Sequence, residues 1–203
     1  LGEGRTLVLL PDRSLPYVSA TLSFSGGELL VADDEEGLAS LTASALTTGT
    51  KNRTLNDINV YLSDRASGLS AGSGMRSFSV QMDAPSRFAP EVFALMKEVV
   101  ESPAFREEDV DRAKREQIAS IVSVEQNAMG LLSRNLRHVL FEKGSYAHRS
   151  DGDPAVVAGY GRSDVEGFWN RQKVRPWVLS VAGDFDRTQV EAFARSLPAP
   201  SEK

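Results

Sequence analysis

The sequence predicts an α+β fold: an antiparallel or mixed sheet with helices packed on one face. Two pairs of β-type runs, 6–10 with 17–25 and 69–73 with 77–83, are each joined by turn residues. Longer stretches between and after them carry apolar residues at helical spacing. A late apolar run at 176–184 adds one more strand. Hairpins beside long helices imply segregated layers rather than a doubly wound parallel sheet.

Taken in order, Thr6 to Leu10 (TLVLL) is a short apolar strand closed by Pro11-Asp12-Arg13-Ser14. Through that turn it is expected to pair with the run from Tyr17 to Ser25, which is rich in β-formers and ends at Gly26-Gly27. The acidic run Asp33-Asp34-Glu35-Glu36 reads as a solvated loop ahead of a helix that spans 38–46 and stops near Gly49. Thr54 followed by Asp57 resembles a capping box with the shorter acid, opening a helix to about Ser67 before Gly68. Gly72-Ser73-Gly74 is a hairpin turn between the next two strands. After Pro85, residues Phe88, Val92, Phe93, Leu95, Met96, Val99 and Val100 form one wide apolar stripe.

The longest helical pattern runs over 107–141, with a bend expected at Gly130. Val110, Ala113, Ile118, Ile121 and Val122 line its first part, and Leu131, Leu132, Leu136, Val139 and Leu140 its second. A polar loop over 143–154 follows, then a helix capped by Ser163, the buried strand and a closing helix over 188–197.

The 203 residues, 25% of them charged and 41% hydrophobic, suit one large soluble domain with a real core. A net charge of -5 argues against nucleic acid or an anionic membrane as the main partner. Without cysteine there is no disulfide framework and no thiolate metal site. No apolar stretch approaches the roughly 20 residues that span a bilayer. The start at Leu1 and the Pro-Ala-Pro run near the end predict a domain at 1–197 excised from a longer protein, with 198–203 a linker to a following repeat.

Little else carries chemistry. His138 and His148, the only histidines, are not at a metal-ligand spacing on one helix turn; they read as a helix-surface and a loop residue. Asp151-Gly152-Asp153 shares part of a calcium-loop pattern but lacks the downstream bidentate acid, so it reads as a turn before Pro154. The serines have no His or Lys partner in a recognisable nucleophile motif. Arg112, Lys114 and Arg115 read as the exposed face of a helix.

Several landmarks nevertheless stand in a telling order. They are Gly26-Gly27, Gly37-Leu38-Ala39, Gly49-Thr50, Thr54, Ile58, Gly68, Ser102-Pro103-Ala104-Phe105 and the charged run Val110 to Arg115. Tyr146, Gly152 and Val181-Ala182-Gly183-Asp184 complete them. In this order they resemble the amino-terminal repeat of insulinase-type (M16, pitrilysin-family) zinc peptidases, over nearly the whole chain. The resemblance implies one repeat of a clamshell built from two pairs of repeats around a peptide. It also implies a His-x-x-Glu-His zinc motif directly after Gly-Leu-Ala, with a third ligand, a Glu, on the later charged helix. Adjacent helix turns would present two imidazoles to Zn²⁺, and the intervening Glu would act as general base.

Here those positions fall on Ser40-Leu41-Thr42-Ala43-Ser44, and the third near Ser120. Serine hydroxyls are poor Zn²⁺ ligands, and Ala43 cannot take a proton. The reading that follows is a non-catalytic repeat with no zinc and no hydrolysis of its own. Its expected partners are a second repeat, a zinc-bearing catalytic half and a peptide substrate, in a bacterial periplasmic or membrane-associated setting. The alternative is a structural scaffold with no link to proteolysis. The discriminating observation is an intact His-x-x-Glu-His in the parent chain or a partner.

Overall fold

The structure, a computed structural model, describes residues 1–141 and 144–201. The expected loop at 143–154 and the linker at 198–203 therefore lie partly outside the described residues. The strands are β1 (Arg5–Pro11), β2 (Tyr17–Ser25), β3 (Gly68–Ser73), β4 (Ser77–Pro85) and β5 (Trp177–Gly183). The helices are α1 (Leu38–Leu46), α2 (Leu55–Ser63), α3 (Ala89–Glu101), α4 (Glu107–Glu125), α5 (Ala128–Leu140), α6 (Pro154–Gly159), α7 (Arg162–Gln172) and α8 (Arg187–Ser196). The fold is the mixed sheet with helices on one face that the sequence implies.

The sheet order is β1-β5-β2-β4-β3, with β1 parallel to β5 and every other pair antiparallel. The expected β1–β2 hairpin is thus corrected: β5 lies between the two strands. Trp177, Leu179 and Val181 give β5 an apolar face that earns a central place, while β1 keeps Val8 and Leu10 exposed at the edge. The 12–16 connection arches over the end of β5, where Asp12 N donates to Gly183 O and Asp184 N to Tyr17 O, both at 2.9 Å. Gly183, at φ 115°, passes so close to Tyr17 O that no side chain fits. The β3–β4 hairpin forms as read.

The face of the sheet turned to the helices carries Val18, Ala20, Leu22 and Phe24 of β2 with Phe78, Val80, Met82 and Ala84 of β4, all buried. Trp169 of α7 closes this core, edge-to-face with Phe24 at 5.8 Å and tilted against Phe78 at 5.3 Å. Its indole N–H donates to Val100 O at 3.2 Å, so the ring buries no orphaned donor. The other face of the sheet is open. Val8, Ser180, Thr21, Gln81 and Ser70 run across it in register, and among its described strand residues the one charge is Asp83, which accepts from the Tyr17 hydroxyl at 2.6 Å.

The Thr54–Asp57 capping box forms, although α2 ends at Ser63 rather than near Ser67. The long helix expected over 107–141 is two. It breaks at Gln126-Asn127, where the Asn127 side chain caps α5 by accepting from Met129 N and Gly130 N. Gly130 sits inside α5, and a Cβ there would come within 2.7 Å of Val124 O, so its lack of a side chain serves close packing rather than bending. The second apolar set also moves: Leu131, Leu132, Leu136, Val139 and Leu140 are all exposed. A short helix, α6, begins at Pro154, where the expected loop ends, capped by Asp153. Gly161, not Ser163, caps α7. Pro198 O accepts from the Trp177 indole at 2.9 Å and Ser201 N donates to Val174 O at 3.0 Å, so the run after α8 lies along the start of β5.

One backbone contact sets the start of α1. Gly37, its cap at φ 86°, faces Gly152 at φ 81° across a gap that holds no Cβ on either side. A Cβ on Gly37 would lie 2.7 Å from Gly152 Cα, and one on Gly152 would lie 2.6 Å from Glu36 O. Gln117 of α4 bridges the pair, its amide donating to Gly37 O at 3.1 Å and Asp151 O at 2.8 Å. Gly152→Ala combines a left-handed backbone with steric overlap and is expected to cost about 3 kcal/mol of stability, measured by urea denaturation. A cost below about 0.5 kcal/mol would show that the contact does not hold the two segments.

Candidate functional site

Helix α1 is sunk between the sheet, α4 and α7, with Leu38, Ala39, Leu41, Thr42, Ala45 and Leu46 buried. The three degenerate positions lie on it within about one turn. Ser40 is partly buried, Ala43 is buried, and Ser44 is exposed. Ser120 lies on α4 and is exposed. The donor set is two hydroxyls, a methyl and a third hydroxyl, with no imidazole or carboxylate at any of the four positions. Such a set does not fit Zn²⁺. Among the described residues no group of three or more His, Cys, Asp or Glu side chains could hold a metal ion.

The Ser40 hydroxyl lies 3.3 Å from that of Ser73 at the end of β3, and Ser73 donates to Glu28 Oε1 at 3.2 Å. Glu28 is 1% exposed, in the 3-10 turn that follows β2, and its Oε2 has no hydrogen-bond partner among the described residues. Burial pushes the Glu28 carboxyl up to about 7, against the opposing pull of the Ser73 hydroxyl and the Arg137 guanidinium. A hydrogen-bonded line thus runs from a buried carboxyl to the surface serine.

That serine opens on a cleft of about 400 Å³ between α1, α5 and the 150–151 segment, lined also by Ser133, Arg134, Arg137, Ser150 and Asp151. Arg134, with 5% of its side chain exposed, donates to Asp151 Oδ2 at 3.0 Å, Glu125 Oε1 at 2.8 Å and the Gly152 carbonyl. Arg137 donates to the Ser150 hydroxyl. A larger groove of about 960 Å³ lies between α3 and α8, with Phe93 and Phe193 in ring contact at 4.7 Å on its floor.

The other sequence candidates are dispersed. His138 is exposed on α5, whereas His148 is buried with its Nε2 3.2 Å from Asp33 Oδ1. The acidic run is anchored rather than merely solvated, because Glu35 accepts from Arg171 at 2.6 Å and Glu36 from Arg149 N. Asp151-Gly152-Asp153 is the turn the sequence implies. Glu28, Arg134 and Arg137 went unrecognised in the sequence. An acid set between Gly26-Gly27 and Leu29-Leu30 was the available hint for the first; nothing in sequence distinguishes the two arginines from a solvated helix face.

The sequence profile of the family described as Insulinase (Peptidase family M16) matches residues 7–150. A curated relative, the non-peptidase homolog YmxG of Helicobacter pylori, is 25% identical over 171 residues, covering 84% of this chain and 40% of the relative. Among solved structures, the peptidase M16 inactive domain from Pseudomonas fluorescens superposes with a TM-score of 0.86 at 23% identity, over 99% of this chain and 50% of that one. A protease from Helicobacter pylori gives 0.86 at 13% identity, over 100% and 50%. The first half of the periplasmic protease PqqL from Escherichia coli gives 0.79 at 20% identity, over 97% and 44%. The chain therefore spans half or less of each of these relatives.

The buried carboxyl makes stability depend on pH. Unfolded Glu28 ionises near 4.5 and folded Glu28 near 7, so the folded state holds the extra proton between these values. Stability contributed by this group is complete below 4.5, falls as pH rises, and levels off above 7. At about 1.4 kcal/mol per unit the full loss is about 3 kcal/mol. Glu28→Gln is expected to be more stable than the parent at pH 8 by up to that amount, and no more stable at pH 4. Urea denaturation across this pH range checks it, and an unchanged pH profile would reject the assignment.

Proposed function

The chain belongs to the insulinase family of peptidases, family M16, and we propose that it is a repeat without catalysis of its own, serving as one wall of a peptide-binding chamber. Its partners on this reading are a second, similar repeat and a zinc-bearing half, in the same chain or another. The observation that carries the proposal is the Ser-Leu-Thr-Ala-Ser segment of α1, which keeps the helix and its burial while every metal-binding or proton-accepting group is missing.

Three further features support it. Beside α1, among the described residues β3 pairs only with β4, so its outer edge carries no strand there. That edge, Gly68–Ser73, has no charged residue, and charge is the usual guard against strand addition. An extended peptide could add to it through main-chain hydrogen bonds. The open face of the sheet, nearly free of charge with Val8, Leu10 and Val178 exposed, suits cover by a second repeat. The relatives called a non-peptidase homolog and an inactive domain agree with the absence of catalysis, and the periplasmic protease agrees with a periplasmic or membrane-associated setting.

The first test is elemental analysis of the purified chain after incubation with excess zinc and desalting. Less than about a tenth of an equivalent is expected, and near one equivalent surviving a weak chelator would overturn the reading. The triple variant Ser40→His, Ala43→Glu, Ser44→His is expected still to bind zinc weakly, since no acid stands at Ser120. Tight zinc binding by that variant alone would show that the ligand count is wrong. The parent chain should bind labelled extended peptides without cleaving them. Failure to bind any peptide would favour the structural scaffold instead.

A further inference from the structure

The cleft beside Ser40 has an unusual wall. In most surface helices the apolar stripe faces the protein and the charged stripe faces water. Helix α5 is reversed. Gly130, Ser133, Arg134 and Arg137, at helical spacing, turn to the body and line the cleft. Met129, Leu132, Leu136 and Val139, spaced by three and four, stand exposed on the outside. The described helix carries no acidic residue.

Its two arginines are not equivalent. Arg134 is held by two carboxylates and a carbonyl. Arg137 donates to one hydroxyl, that of Ser150, and has no carboxylate partner among the described residues. A guanidinium has five N–H donors in a planar fork, so the larger part of this one is uncommitted. Ser40, Ser133 and Ser150 place further hydroxyls around the same space. Asp151, the acid on the cleft wall, is engaged by Arg134, and burial holds Glu28 beneath it towards its neutral form. Ser40 on the cleft wall touches Ser73, the last residue of β3, hydroxyl to hydroxyl at 3.3 Å, so the end of that strand lies beside the cleft.

We infer that this cleft binds a carboxylate of a peptide lying along β3, with Arg137 as its cationic fork. The inference rests on the peptide-wall reading and adds the class of peptide: one that presents a carboxylate, from its C-terminus or from an acidic side chain. A charge-assisted fork gives selectivity that main-chain pairing alone cannot, because every peptide offers the same backbone.

Fluorescence anisotropy on the full chain tests it with short fluorescein-labelled peptides of alternating Leu and Thr. Three versions are needed: a free C-terminal carboxylate, an amidated end, and an amidated end with one internal Glu. At least one carboxylate version is expected to bind about tenfold more tightly than the plain amide, and which one does identifies the source. Arg137→Gln should abolish that advantage and leave the amide affinity unchanged, with Arg137→Lys retaining part of it. Arg87→Gln, in the separate α3–α8 groove, should change nothing, and circular dichroism checks that each variant folds. Equal binding of all versions to the parent would overturn the inference while leaving the peptide wall intact. Absence of binding by every version would remove the wall as well.

Discussion

The contact between Gly37 and Gly152 is the constraint on which the site's geometry depends. Two glycines with left-handed backbones meet where neither could carry a side chain, bringing the start of α1 against the turn before α6. Gln117 ties the same point to α4, and Arg134 ties it to α5 through Asp151 and Gly152. Segments far apart in sequence converge within one small volume. The position of Ser40 relative to the cleft follows from this convergence, because α1 cannot slide along its axis while its first turn is held.

The stability of α1 comes from apolar packing rather than from any metal-binding group. Helix α1 is held by apolar burial on most of its surface, Ala43 included, while the exposed Ser44 contributes little to it. The acids nearby are balanced by arginines: Glu36 lies against Arg149, and Asp151 and Glu125 against Arg134. Partly buried pairs of this kind add orientation more than net stability. Glu28 is the exception, a carboxyl buried without a cationic partner in contact and with an unpartnered oxygen. Such a group costs stability when ionised, and it is joined to Ser40 of α1 through the Ser73 hydroxyl.

Much of the architecture was legible because local rules dominated it. The alternation in β2 and β4, the Thr54–Asp57 box, the apolar stripe of α3 and the turn at Gly74 each express one short-range preference, and each formed. The degenerate motif was legible too, since the identities of Ser40, Ala43 and Ser44 are facts of sequence. Less local features were misplaced. Val8 and Leu10 could pair with either β2 or β5, and only the competition of a more apolar strand for the central place chose. The leucines of α5 have the spacing of a buried face, yet spacing states only that a stripe exists, not which way it turns.

The sequence by itself determined that the chain forms a mixed sheet with helices on one face, where most of its strands fall, and that serine and alanine stand at Ser40, Ala43 and Ser44. Those conclusions rest on periodicity and residue type, which are properties of neighbours along the chain. Tertiary structure alone decided that β5 would separate β1 from β2, that α5 would turn its arginines inward, and that Glu28 would be buried beneath Ser73. Each depends on which surfaces compete for the same buried space. That competition is settled by packing among segments remote in sequence, so no local pattern encodes it.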